Sequence, residues 1–434
     1  MTDSAAVVTP IAANGEARGW KLQLLGIFSG FAAGAWLGAA EAPTKLVTIG
    51  VSPVVISLIM VIGVFLARWS LPALILGTSF IRADVGRAPH LILWALLAGC
   101  LWAVANTLTI YAIRDIGLSI AFPLWNANSL LGILWGFLFF NELRQAGWRR
   151  WTGVLGGTLV MCVGAATLAF ASSSQGPATH SLGGVWAALG AGVLWGTMYI
   201  PYRKAYLTGM NPLSFVTFFT FGELGMMTAL AVSTKGAVPL WRELASARGV
   251  VFWLMLGGFI WVIGDLFQQY AAKYVGISRG IPLSNTNQLW GMLWGILVFG
   301  ELHGGGHTTY LQVIGGSLLM MLGVGAIALS SATSKEHLRW KEAAQQESER
   351  YGVEVEYVEA RMDGRRAAGE APPKRKALDW VLIAGATAVF VAFGGIARVP
   401  ELSIHRAPAV VLIAAMLIML LVCGWAIWKT TRFN

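Results

Sequence analysis

Of the 21 acidic residues in this chain, three lie inside long apolar runs: Glu41, Glu223 and Asp265. The rest fall in tails, loops, run ends or one strongly charged stretch after residue 331. A carboxylate at membrane depth costs about 2.5 to 3.5 kcal/mol on insertion scales, so each of the three is a candidate functional group. Asp265 is the sharpest, because the residue matched to it in an internal repeat is the uncharged Asn106. Shape is kept and ionisability appears once, as a group that loads and unloads a coupling proton requires. The competing reading is a protonated or hydrogen-bonded Asp that bridges helices. Glu223, within TFFTFGELGMM, carries the same two readings, and Glu41, within EAPTK beside Lys45, suits a gate or an interfacial ion pair.

A second constellation consists of amides and indoles. After Pro123, Asn128, Gly132 and Trp135 follow at steps of four and three; after Pro282, Asn287, Gly291 and Trp294 repeat the spacing. Each trio lies on one helix face. The prolines remove a backbone hydrogen bond and leave carbonyls free for a ligand. An amide that donates and accepts suits a sugar hydroxyl, and an indole adds a flat apolar face with an N–H. Asn126, Asn285 and Gln288 adjoin these trios, while Trp102 with Asn106, and Trp261 with Asp265 and Gln268 or Gln269, form similar stripes on neighbouring runs. Any single Asn reads more simply as a link between helices; the matched set favours a solute site.

These residues belong to stretches written twice. Residues 97–143 align with 256–302 without a gap at an offset of 159, placing Trp102 on Trp261, Tyr111 on Tyr270, Gly117 on Gly276 and Glu142 on Glu301. The register continues through Gly156, Gly157 and Gly164 onto Gly315, Gly316 and Gly323. Matched polar positions inside repeated apolar segments are characteristic of transporters, whose two halves face one central site.

The chain is 56% hydrophobic and 12% charged, which suits a bilayer as solvent. Apolar runs of crossing length fall near 22–42, 52–79, 90–113, 117–140 and 151–172, then near 181–201, 212–232, 250–275, 277–299 and 309–331. The second is overlong and interrupted by Arg68 and Pro72, so it reads as a kinked helix or a helix plus an interfacial turn. Five crossings per repeat make the halves inverted copies. The expected architecture is an all-α polytopic membrane protein: a ten-helix inverted repeat (5+5) plus a C-terminal two-helix hairpin, 12 transmembrane helices in all. Its parts are an N-terminal cytoplasmic tail (1–20), repeat 1 (21–172), repeat 2 (181–331), a charged, solvated cytoplasmic linker (332–378) and the hairpin (379–434). The first helix carries Gly26, Gly30, Gly34 and Gly38, one per turn, for close packing. Basic residues at 82, 87, 144, 149, 150, 203, 204, 273 and 279 place both termini in the cytoplasm, against Lys235, Arg242 and Arg248 in one outer loop. The net charge of +10 is spread between apolar runs, which argues against nucleic acid. Cys100, Cys162 and Cys423 read as free buried thiols, and the six dispersed His form no metal cluster; no catalytic group, metal or cofactor is expected.

GISRGIPLSNTNQLWGMLWGILVFGEL, together with APTK after the first run, resembles the bacterial glucose/ribose porters and rhamnose-proton symporters of the drug/metabolite transporter superfamily. The resemblance covers about residues 20–331. It implies uptake of a monosaccharide, driven by protons, across the cytoplasmic (inner) membrane of a bacterium. The expected solute is a sugar or sugar-like polyol. Export of a hydrophobic metabolite, with a largely apolar cavity, is the second reading, and a non-transporting sensor that signals through the linker is the third.

Overall fold

In hydrocarbon a backbone can satisfy its N–H and C=O groups within one segment only as a helix. The computed structural model describes residues 10–40, 42–45, 51–116, 124–125, 128–144, 146–172, 182–300, 306–330, 332, 334–367, 372, 374–398 and 404–434. Over residues 10–172 the helices of more than one turn are α1 (Pro10–Ala39), α2 (Pro53–Ile75), α3 (Ser79–Arg87), α4 (His90–Ile116), α5 (Asn128–Phe140) and α6 (Trp148–Ser172). Residues 182–330 carry α7 (Leu182–Leu207), α8 (Pro212–Lys235), α9 (Ala237–Ser246), α10 (Val251–Val275), α11 (Ile277–Ser284), α12 (Asn287–Leu293) and α13 (His307–Leu329). After these lie α14 (Ser334–Tyr351), α15 (Val355–Met362), α16 (Ala377–Gly395) and α17 (Arg406–Thr431).

Among the described residues, ten helices are long and apolar enough to cross a membrane: α1, α2, α4, α6, α7, α8, α10, α13, α16 and α17. Of the runs expected near 117–140 and 277–299, the first lies partly outside the described residues and the second is divided. The described part of the first includes α5, and the second is split into α11, α12 and a π turn over Trp294–Val298. The break in the second falls after Pro282. Asn285 turns its backbone N–H to the carbonyls of Ile281 and Pro282 while its side chain bonds to Asn128 and Ser129 on α5. The overlong run is a single helix through Arg68, with α3 following as a separate short helix.

The helix pairings match when the halves are exchanged. α1 packs on α10 as α4 does on α7; α2 packs on α10 as α4 does on α8; α2 meets α8 and α6 meets α13. Backbone contact enforces this. Gly99 lies against Phe219 and Glu223, and its counterpart Gly258 against Met60 and Val64, where any Cβ would collide with backbone. Both partners of Gly258 stand at the 159-residue offset from those of Gly99.

The charged stretch after residue 331 is helical, with one face buried. Trp340, Ala343, Ala344, Tyr357 and Val358 are covered, and so are the charged Glu336 and Arg361. Glu336 binds Arg279 through both oxygens, at 2.8 and 3.0 Å, and accepts from Leu143 N. Asp84 on α3 accepts from Ser214 Oγ at 2.6 Å and from Tyr357 Oη at 3.1 Å, with Arg361 at 3.7 Å. Burial, then the nearby Asp84 carboxylate, push the Tyr357 phenol up to about 12, which keeps it a donor. Arg203 and Arg279, expected to mark loops, are buried. Arg203 lies 3.0 Å from Glu142, whose carboxylate also accepts from the N–H groups of Ile277 and Ser278 at the start of α11. Gly276 precedes that helix at φ +80°, where a Cβ would strike the Glu142 carboxylate.

Candidate functional site: a buried charge centre between the halves

Arg68 enters from α2 of the first half. Its Nη1 lies 3.2 Å from Glu223 Oε2 on α8, and its Nη2 lies 2.9 Å from Asp265 Oδ2 on α10. All three side chains are 0% exposed. The guanidinium rests 4.2 Å from the Phe219 ring centroid and 5.2 Å from that of Trp261, so aromatic faces complete its solvation where water is excluded. Phe219 and Thr220 stand one helical turn before Glu223, and Trp261 and Gln269 one turn either side of Asp265, so each helix offers a single inward face.

The polar contacts run on from Asp265. Its Oδ1 accepts from Gln269 Nε2 at 2.8 Å, and Gln269 Oε1 accepts in turn from Tyr206 Oη. Tyr202, one turn before Tyr206, packs on Phe215 and Phe219 and lies within electrostatic range of Arg68 and Asp265. One cation with two carboxylates carries a net negative charge until one proton is bound, and is then neutral.

Every charge in the centre occurs once in the repeat. At the offset of 159, Arg68 corresponds to Met227, Glu223 to Val64 and Asp265 to Asn106. The backbone scaffold obeys the exchange of halves while these three side chains break it.

Two comparisons with known proteins bear on this geometry. A sequence-family profile described as sugar transport protein matches residues 186–353, and a protein from Streptococcus pyogenes serotype M1, named for sugar uptake, is 25% identical over 216 residues, covering 48% of this chain and 69% of its own. The chain is similar to bacterial sugar uptake proteins. One from Staphylococcus aureus strain COL, named for ribose uptake (RbsU), is 31% identical over 139 residues, covering 32% of this chain and 43% of its own. The family match contains Tyr202, Glu223, Asp265, Gln269 and the divided helix; Arg68 lies before it.

The other residues singled out by sequence are spread around the centre. Asn128 and Asn285, from the two interrupted runs, do meet: Asn285 Nδ2 donates to Asn128 Oδ1 at 2.9 Å and to Ser129 Oγ at 2.7 Å. Trp102 and Trp261 also meet, edge to face at 5.2 Å. Asn106 instead donates to Ser57 Oγ, and Gln268 to Ser284 Oγ, so Gln269 is the partner of Asp265. Trp135 stacks on Phe139, and Trp294 is buried in the π turn. Asn287 and Gln288 open α12, each with one side-chain atom that is buried and without a partner. Asn126, Pro123 and Glu41 lie outside the described residues. Sequence reading missed Arg68, Tyr202 and Tyr206. The signal for Arg68 was present as a lone cation within an apolar run, since a buried carboxylate in another run calls for one.

Proposed function

We propose that this protein is a secondary active transporter that takes up a monosaccharide or sugar-like solute by proton symport, with Arg68, Glu223 and Asp265 as its coupling centre. The observation that carries this reading is the buried arrangement of one cation and two carboxylates, held between an element of the first half and two of the second. Burying uncompensated charge is expensive, so the centre favours one bound proton in its closed form. Movement of the halves stretches the contacts of Arg68, and protonation of Asp265 or Glu223 decides which carboxylate keeps the guanidinium. Loading a proton thereby favours one arrangement of the halves and releasing it favours the other.

The proposed architecture is the inverted 5+5 repeat followed by the α16–α17 hairpin, in the bacterial inner membrane with both termini cytoplasmic. The reciprocal helix pairings and the matched Gly99 and Gly258 contacts support the inverted repeat. The sugar class is supported by the similarity to proteins named for sugar and ribose uptake. The test is uptake of labelled ribose, glucose and rhamnose into proteoliposomes with an imposed inward proton gradient. Gradient-driven accumulation of at least one sugar is expected; equal uptake with and without the gradient would remove proton coupling from the reading.

A further inference from the structure

Four polar atoms around the charge centre are buried and have no hydrogen-bond partner: Arg68 Nε, Glu223 Oε1, Tyr202 Oη and Thr220 Oγ1. Thr220 Oγ1 stands beside the Glu223 carboxylate and interacts with it, short of a well-formed hydrogen bond. Five of the neighbouring amides are in a different condition, while Asn287 Oδ1 and Gln288 Nε2 on α12 are likewise buried without a partner. Asn128, Asn285, Asn106, Gln268 and Gln269 all spend side-chain groups on protein partners. Buried polar atoms are nearly always satisfied, and an isolated exception is costly, so four on three adjoining helices mark a place that something else fills.

We infer that Arg68 Nε, Glu223 Oε1, Tyr202 Oη and Thr220 Oγ1 form the hydroxyl-binding subsite of the transported solute, and that this solute is a neutral polyol presenting a vicinal diol. The donor and acceptor inventory fits that chemistry. Glu223 Oε1 only accepts, Arg68 Nε–H only donates, and the two hydroxyls do both, which complements adjacent hydroxyls that each donate one proton and accept another. The charge fits as well. With two carboxylates and one guanidinium the surroundings are negative or neutral, which disfavours sugar acids and sugar phosphates. The subsite shares Glu223 and Arg68 with the coupling centre, so a bound hydroxyl alters the contacts on which the proton depends. The solute at Glu223 and the proton at Asp265 then meet through the one guanidinium of Arg68, and no relay between distant sites is needed.

This inference rests on the sugar-uptake reading, and the experiment separates the two. Binding of ribose, glucose and glucuronate is measured by calorimetry on the purified full-length protein, for wild type, Tyr202→Phe, Thr220→Val and Asn285→Ala. Each of the first two variants removes one hydroxyl and little volume, and each should weaken binding of the neutral sugar about ten-fold, the equivalent of one hydrogen bond in a desolvated site. Glucuronate should not bind. On the wild type, bound sugar should also slow modification of Glu223 by a hydrophobic carbodiimide, followed by peptide mass spectrometry; this arm depends on no variant's folding. Sugar affinity unchanged in Tyr202→Phe and Thr220→Val but lost in Asn285→Ala would overturn the subsite and move it to the amide pair. Full carbodiimide reactivity of Glu223 under saturating sugar would overturn it too. A wild type that binds neither neutral sugar would overturn the sugar reading itself.

Discussion

Replacing Arg68 by Met isolates what holds the charge centre together. Met stands at the matched position of the other half, Met227, so the change keeps length and helix propensity while removing the cation. Two carboxylates at 0% exposure are then left without their guanidinium. Breaking a buried pair by removing one partner costs about 3 to 5 kcal/mol, because the remaining charge is uncompensated. The sharper variant changes all three residues, Arg68→Met with Glu223→Val and Asp265→Asn, which copies Met227, Val64 and Asn106. Replacing a whole buried ionic group by well-packed neutral side chains is neutral or stabilising by about 1 to 4 kcal/mol. Unfolding in mixed micelles by SDS titration, read by tryptophan fluorescence, should therefore place Arg68→Met well below wild type and the triple variant at or above it. Asp265→Asn and Glu223→Gln each leave one ion pair and a neutral total, so they should fall between. An Arg68→Met protein as stable as wild type, or a triple variant less stable than the single one, would refute the electrostatic account of this centre.

Two further predictions concern the elements that hold the site. Glu336→Ala leaves Arg279 buried without its carboxylate and frees the Leu143 N–H, so it should cost about 3 to 5 kcal/mol and expose α14 and α15 to limited proteolysis; unchanged protease resistance would show that this contact does not fix the segment. Gly276→Ala forces a Cβ into φ +80° against the Glu142 carboxylate and should destabilise by about 1 to 3 kcal/mol; wild-type thermal stability would mean that the start of α11 can shift to accommodate it.

Much of the helical framework was legible in the sequence because hydrocarbon imposes it: apolar length gives the crossings, and the 159-residue register anticipates which glycines face matched backbones. The pairing of Met60 and Val64 with Gly258, against Phe219 and Glu223 with Gly99, is that register made physical. The charge centre was half legible. Asp265 and Glu223 stand out as carboxylates at membrane depth, but their cation lies 155 and 197 positions away along the chain. Hydrophobic periodicity describes one helix at a time and carries no record of what that helix meets, so Arg68 read as an interruption of α2. The stretch after residue 331 misled for a related reason. Glu336 and Arg361 look like solvated charges by composition, and only their partners Arg279 and Asp84 reveal that they are buried. Asn285 shows the converse: an amide marked as a ligand for hydroxyls is occupied by Asn128 and Ser129.

The central claim, that Asp265 carries the coupling proton, is tested most directly by Asp265→Asn in proteoliposomes. This substitution reproduces Asn106, keeps the shape of the side chain and leaves Arg68 paired with Glu223. The variant should exchange internal for external labelled sugar at a rate near that of wild type, and should lose both accumulation driven by a proton gradient and sugar-dependent acidification of the lumen. Accumulation equal to wild type in Asp265→Asn, with loss in Glu223→Gln, would contradict the assignment and give the proton to Glu223.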